Sequence, residues 1–264
     1  LFCGRFRLKL GDRPLIMGIL NVTPDSFSDG GRFNSLQRAV RHACEMQAQG
    51  ADLIDVGGES TRPGARAVSA QAEIKRILPV MERLVQKLSI PISVDTAKAS
   101  VAQAACQAGA SMVNDVTALK DPQMAQVVAQ ASVPVVLMHM RGTPRTMQKN
   151  IQYRRLIPEI QRVLRVAIRR ALKEGVASRQ ILIDPGIGFG KSVDQNLELI
   201  RHIQTFKQMG FPVVLGPSRK SFIGQLVGAP VEERLFGTAA AVAFSVAQGA
   251  DVVRVHDVAA MRQV

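Results

Sequence analysis

The sequence predicts a closed (β/α)8 TIM barrel, on three grounds. Eight short, β-branched apolar runs alternate with longer segments of helical periodicity. The runs are apolar almost without interruption, as strands buried on both faces of a parallel sheet must be. The pattern fills 264 residues without a linker or low-complexity stretch, the length one such barrel uses, so a single domain over 1–264 is expected. A doubly wound open sheet also alternates strands and helices, but no GxGxxG follows the first strand here.

The strands are expected at Ile16–Leu20, Leu53–Val56, Ile92–Val94, Met112–Val113, Val135–Met138, Ile181–Ile183, Val213–Leu215 and Val252–Val255. One unit recurs among them. GADLIDV at Gly50, GASMVNDV at Gly109 and GADVVRVHDV at Gly249 each place a helix-ending glycine before an apolar strand that finishes in a polar group. Arg154, Arg155, Arg162, Arg165, Arg169, Arg170 and Lys173 are interleaved with Leu156, Ile160, Val163, Leu164, Ala167, Ile168 and Ala171, the pattern of an amphipathic helix with a solvated basic face. The sequence stops at Val264, a few residues past the last strand, so the eighth helix is expected to be truncated.

Composition narrows the function classes. With 47% hydrophobic and 21% charged residues the chain resembles ordinary folded domains, and disorder is not indicated. No apolar run approaches the roughly 18 residues of a membrane helix. The opening residues lack a signal-peptide pattern, so the expected location is cytoplasmic. Cys3, Cys44 and Cys106 are widely spaced with no CxxC, which suggests neither a disulfide framework nor a zinc site. The net charge of +13 raises the question of nucleic acid, but aromatics are only 4% and Trp is absent, so stacking platforms are scarce. Anionic small molecules are the expected partners, and neither nucleic acid nor membrane is.

In such a barrel, chemistry sits on the loops after the carboxyl ends of the strands. Asn21 leads into VTPDSFSDGG, and the second strand into GGESTRPG. Asp95, then Asn114 and Asp115, then Met138 and His139 end the next three strands; Asp184 precedes PGIGFGK, Gly216 precedes PSRKS, and Arg254, His256 and Asp257 end the last. Asp95, Asn114 and Asp184, with Lys220, offer carboxylate, amide and ammonium groups to the edge of a flat heterocycle. Thr61, Arg62, Arg254 and His256, with amides near Ser221, form an anion-binding set. Simpler readings compete: Asp95 and Asp184 as helix caps, His139 and His42 as structural or surface histidines, Asp55 as a buried support.

The strings MGILNVTPDSFSDGG from Met17, DVGGESTRPGA from Asp55, SVDT from Ser93, LMHM from Leu137, LIDPGIGFGK from Leu182, SRKSFIG from Ser218 and RVHDV from Arg254 closely resemble bacterial dihydropteroate synthases. The resemblance covers nearly the whole chain. It implies a homodimeric (β/α)8 barrel that condenses 6-hydroxymethyl-7,8-dihydropterin pyrophosphate with p-aminobenzoate. By matching motif, Asp95, Asn114, Asp184 and Lys220 would hold the pterin, with Met138 and Gly216 lining its pocket. Thr61, Arg62, Arg254 and His256 would grip pyrophosphate, and Asn21 would help hold Mg²⁺. Pro63, Phe189 and Ser221 would receive p-aminobenzoate. Asp95 and Lys220 would act in catalysis, Asp29 would orient the attacking amine, and the first two loops would close over both substrates. Pro217 stands where Thr or Met is common, and Phe236 where a small or polar residue is common. The methyltetrahydrofolate methyltransferase barrels share pterin-holding carboxylates but have no use for a pyrophosphate grip, and an RNA-binding module built on the basic helix is the alternative of a different class.

Overall fold

The computed structural model describes residues 1–23 and 31–264, with backbone alone for 31–34. A hairpin of β1 (Phe2–Cys3) and β2 (Phe6–Arg7) precedes eight parallel strands. These are β3 (Leu15–Asn21), β4 (Leu53–Gly57), β5 (Ile92–Asp95), β6 (Met112–Asp115), β7 (Val135–Met138), β8 (Ile181–Asp184), β9 (Val214–Leu215) and β10 (Val252–Val255). Their spatial order is β8-β7-β6-β5-β4-β3-β10-β9, and a parallel bridge from Ile183 to Val213 joins the two ends, so the sheet is a barrel. All eight expected strands are present, with bounds within two residues of expectation.

Helices α1 (Gly31–Ala48), α2 (Ala70–Lys87), α3 (Ala99–Gln107), α4 (Met124–Ala131), α5 (Leu156–Lys173), α6 (Val193–Arg201), α7 (Ile203–Lys207), α8 (Ser221–Val227), α9 (Leu235–Ala247) and α10 (Val258–Gln263) cover the outside. The last has six residues. Helices α1, α3 and α9 each end two residues before a glycine with φ near +100°, at Gly50, Gly109 and Gly249, the repeated stop signal of the sequence. On α5 the residues Ile157, Ile160, Leu164, Ala167, Ile168 and Ala171 are buried while Arg162, Arg165 and Arg169 face solvent. Val163 is 40% exposed and lies off the apolar stripe assigned to it from sequence.

Alternation along the strands separates two cores. Ile16, Ile54, Ile92, Val113, Val135, Ile181, Val213 and Val253 belong to the large core shared with the helices. Their neighbours Leu15, Met17, Leu53, Met112, Val136, Leu182, Val214 and Val252 cluster separately, inside the ring. Cys3 of the hairpin, fully buried, packs into that inner cluster with Leu1, Phe6, Leu8 and Leu10 around it. The hairpin therefore plugs the amino-terminal end of the barrel. Strands of two residues carry no readable periodicity, so the sequence reading contained no hairpin.

Two residues onward from the inner cluster, the same inward parity reaches Asp55, Asp95, Asn114, Met138, Asp184, Gly216 and Arg254. The inside of the barrel is thus apolar at the plugged end and polar at the other.

Candidate active site

Strand register sets the polar residues at neighbouring levels. Asn21 pairs with Gly57, Gly57 with Asp95, and Asp95 with Asn114 across three successive ladders. Met138 pairs with Asp184 two ladders further on. Side chains then connect across the barrel mouth. Asp55 Oδ2 accepts from Asn114 Nδ2 at 2.9 Å and from Arg254 Nε at 2.6 Å. Arg254 Nη2 donates to Asp95 Oδ2 at 2.7 Å. Asp55 is fully buried, and its Oδ1 meets no donor among the described residues.

Burial dominates the electrostatics. It pushes Asp95 up to about 7, against the pull of Arg254 and with the help of Asp55, Glu73 and Asp115. Burial also disfavours the Arg254 charge, but Asp55 and Asp95 outweigh it and hold that pKa above its ordinary value. Burial raises the Asp184 pKa too, opposed by Lys220 and by the Gly186 N–H, which donates to Oδ1 at 2.6 Å. Lys220 is pushed down to about 7, chiefly by burial, with Asp184 and Asp95 resisting and Arg254 assisting.

Lys220 is held by the loop after β8. Its Nζ donates to the Ile187 carbonyl and lies 4.2 Å from the centre of the Phe189 ring. Gly186 and Gly188 have φ of +76° and +81°, where side chains are strained. A Cβ at Gly186 would also overlap the His139 carbonyl, and one at Gly188 would sit 2.6 Å from Lys220 Cδ. The turns of GIGFG therefore exist to bring backbone close to β7 and to Lys220.

On the anion side, His256 Nδ1 lies 3.0 Å from Ser218 Oγ, and the imidazole is pushed down to about 4 by burial, then by Arg254. Arg62 is exposed yet near enough to contribute to that shift. Thr61 is half-buried and Pro63 exposed on the same loop, which Glu59 anchors by accepting from Val68 N and from Lys98 Nζ. Lys98 also binds buried Glu73 at 2.5 Å. A cavity of about 710 Å³ is lined by Asp95, Thr96, Thr61, Gly64, Thr117 and Met140, among others. Asn114, Asp184 and Lys220 do not line it, because Asn114 is turned onto Asp55 and Lys220 onto Ile187. A larger, more open groove against α5 contains none of the expected site residues.

The structure thus brings Asp95, Asn114, Asp184, Met138, Gly216, Lys220 and Arg254 to one mouth, with His256 beside them. Ser221 opens α8 directly after Lys220, and Phe189 packs on the lysine. Asn21 ends β3 half-buried. Asp29 lies outside the described residues. Arg254, grouped from sequence with the anion set alone, is also bonded to the Asp55 and Asp95 carboxylates. Asp115, grouped with Asn114 as a strand-end polar residue, is spent locally: it accepts from Thr117 N, Thr117 Oγ1 and Leu119 N. Those bonds support the left-handed backbone of Ala118 and Leu119. Asp257, named from sequence at the same strand end as Arg254, forms a two-pronged pair with Arg219. Two features had no sequence signal: the Asp55–Arg254 link, 199 residues apart, and the burial of Lys191.

Comparison with known proteins agrees with this fold. The family described as pterin binding enzyme matches residues 17–256. A dihydropteroate synthase of Synechocystis sp. is 50% identical over 99% of this chain and 91% of its own. The solved structure of Xanthomonas albilineans dihydropteroate synthase with 4-aminobenzoic acid is 47% identical, with a TM-score of 0.90 over 96% of this chain and 90% of that one. The same enzyme with 7,8-dihydropteroate gives 44% identity and a TM-score of 0.86 over 96% and 91%. With motifs, barrel and relatives in agreement over nearly its whole length, the chain belongs to the dihydropteroate synthases, transferases of the pterin-binding enzyme family.

Proposed function

We propose that the chain joins the methylene carbon of 6-hydroxymethyl-7,8-dihydropterin pyrophosphate to the amine of p-aminobenzoate, giving 7,8-dihydropteroate and pyrophosphate. The observation that carries this reading is the convergence of Asp95, Asn114, Asp184 and Lys220 on one barrel mouth, with His256 and Arg254 adjoining. Asp184 accepts hydrogens from the ring amino and N–H groups, Lys220 donates to ring oxygen and nitrogen, and Asn114 adds an amide. Met138 and Gly216 supply the apolar and open surfaces of the slot. The C–O bond breaks ahead of attack, its electron pair leaving on pyrophosphate. The positive charge left on the pterin methylene is stabilised by the fixed Asp95 carboxylate. The amine nitrogen then forms the C–N bond and releases a proton, with Asp29 orienting it.

Pyrophosphate is held by Thr61, Arg62, Arg254 and His256. His256 is neutral near pH 7, so it contributes a hydrogen bond while the arginines contribute charge. Among the described residues, no three His, Cys, Asp or Glu side chains gather as a metal cage. Mg²⁺ suits the site nonetheless, because it keeps its waters and takes phosphate oxygens with few protein ligands, here the Asn21 carboxamide. When bound it neutralises charge on the leaving group. The p-aminobenzoate ring lies against Phe189, Pro63 and the Lys220 stem, with its carboxylate at Ser221.

A coupled pyrophosphate-release assay tests the reaction. Release is expected only with both the pterin ester and p-aminobenzoate present; release that ignores p-aminobenzoate, or none at all, rejects the reading. We further propose a cytoplasmic homodimer. Support for the dimer is the exposure of Leu226 and Val227 on α8 and of Phe236 and Phe244 on α9, with Phe236 84% exposed. Phe236→Asp is expected to shift the sedimentation mass from two chains to one; an unchanged mass removes this face from the interface.

A further inference from the structure

Lys191 follows the GIGFG loop and would pass in the sequence for a solvent lysine, yet it is 2% exposed. Its Nζ lies 2.9 Å from His139 Nδ1, 3.3 Å from His139 O and 3.0 Å from Phe189 O. Among the described residues it has no carboxylate in ion-pair contact; burial pushes its pKa well below the ordinary lysine value, with Asp184 resisting and Lys220 and Arg141 assisting. A lysine buried without such a partner is costly, so its placement calls for a gain elsewhere. The gain is geometric. The His139 ring nitrogen and two carbonyl oxygens, from the end of β7 and from the loop, converge on a single nitrogen, and the two carbonyls belong to backbone that would otherwise be buried unpaired.

The rest of the loop is caught in the same manner. Gly188 N donates to Asn196 Oδ1 at 2.6 Å, Gly188 O accepts from Gln148 Nε2 at 3.0 Å, and Gly190 O accepts from Tyr153 OH at 3.0 Å. A loop with three glycines loses more conformational freedom on ordering than other loops, so it needs such ties. What it carries on its other side is the contact set of Lys220: the Ile187 carbonyl and the Phe189 ring. Lys191 binds the carbonyl of the same Phe189 whose ring abuts Lys220.

We propose, resting on the pterin-pocket reading above, that Lys191 is a positioning residue: it clamps the Gly186–Gly190 loop onto the end of β7 and thereby fixes the ammonium of Lys220 against the pterin. It touches no substrate. Its removal frees Phe189 and Ile187 to drift, and a displacement of about 1 Å at the donor costs on the order of 100-fold.

Lys191→Met should therefore raise the KM for the pterin ester and the Kd for pterin, followed by fluorescence titration, by roughly 10- to 100-fold. A second readout separates positioning from general damage. In the unaltered enzyme pterin affinity should fall as pH rises through about 7, where Lys220 loses its proton. Asp184 of β8, Asp95 of β5 and Arg254 of β10 act on Lys220 and are unchanged in the variant. Lys191 itself repels Lys220 and is removed, so Tyr153→Phe, which keeps Lys191, separates a loosened loop from that lost repulsion. A loosened loop admits water to Lys220, so the limb should move to higher pH. Tyr153→Phe, which removes only the Gly190 tie, should move both readouts the same way by less, and it serves should Lys191→Met not fold. A folded Lys191→Met with unaltered pterin Kd and pH limb overturns the clamp, as does a Tyr153→Phe indistinguishable from the parent when the first variant is insoluble. Pterin titration is independent of turnover. A parent enzyme that binds pterin but releases no pyrophosphate thus counts against the reaction and leaves the clamp to be judged on binding.

Discussion

Lys220→Ala and Asp184→Ala are each expected to reduce two-substrate pyrophosphate release on the order of 10³-fold, toward background, while the proteins stay folded. The two residues form one unit. Each is desolvated, each is the main electrostatic relief of the other, and the pterin edge needs a donor and an acceptor at once. Their effects should therefore be non-additive, the double variant being little worse than either single one. Loss of Lys220 has two opposed effects on stability: it relieves the burial of a charge, and it leaves buried Asp184 without its main opposite charge. The depressed pKa of Lys220 means that the unfolded chain binds more protons between about 7 and the ordinary 10.5. In the parent this contribution makes stability rise with pH across that window, and Lys220→Ala should abolish it. Circular dichroism melts across pH 7 to about 10, with the release assay, check both halves. A variant with near-normal turnover rejects the pterin pocket.

Arg254→Ala is expected to be the most destabilising single change at the mouth. It leaves Asp55 and Asp95 buried without their shared cation, a loss of about 3–5 kcal/mol for a broken buried pair. Without Arg254, Asp95 shifts further above its unfolded value, since Arg254 is the main influence lowering it. A carboxyl so raised binds its proton more tightly in the folded chain, so its contribution is present at acid pH and lost as pH rises toward the folded pKa. The destabilisation should therefore be larger at pH 8 than at about pH 5, and Asp55→Asn in the same chain should recover part of it. In kinetics the KM for the pterin ester should rise. If p-aminobenzoate affinity alone changed, the assignment of Arg254 to pyrophosphate would be wrong.

The barrel was legible because strands buried on both faces leave unbroken apolar runs, and because Gly50, Gly109 and Gly249 mark helix ends in the same way each time. The candidate site was legible as strand-end residues, since inward parity carries Asp95, Asn114 and Asp184 to the mouth whatever the helices do. Pairing within the mouth was not legible. Asp55 and Arg254 are joined only when β10 closes beside β3, and nothing local in either strand encodes that bond. Asp115 and Asn114 are adjacent in sequence, yet opposite strand parity sends one into a turn and the other into the barrel. Lys191 looks like any charged residue before a helix until β7 is laid behind it. The basic excess, which raised the question of nucleic acid, is partly the solvated face of α5.

The Cys3 hairpin has a kinetic corollary. With one end of the cylinder stoppered by packed side chains, the polar mouth at the other end is the face left for ligands among the described residues. Whatever arrives second must pass over the first, and whatever is made must depart by the route its successor needs.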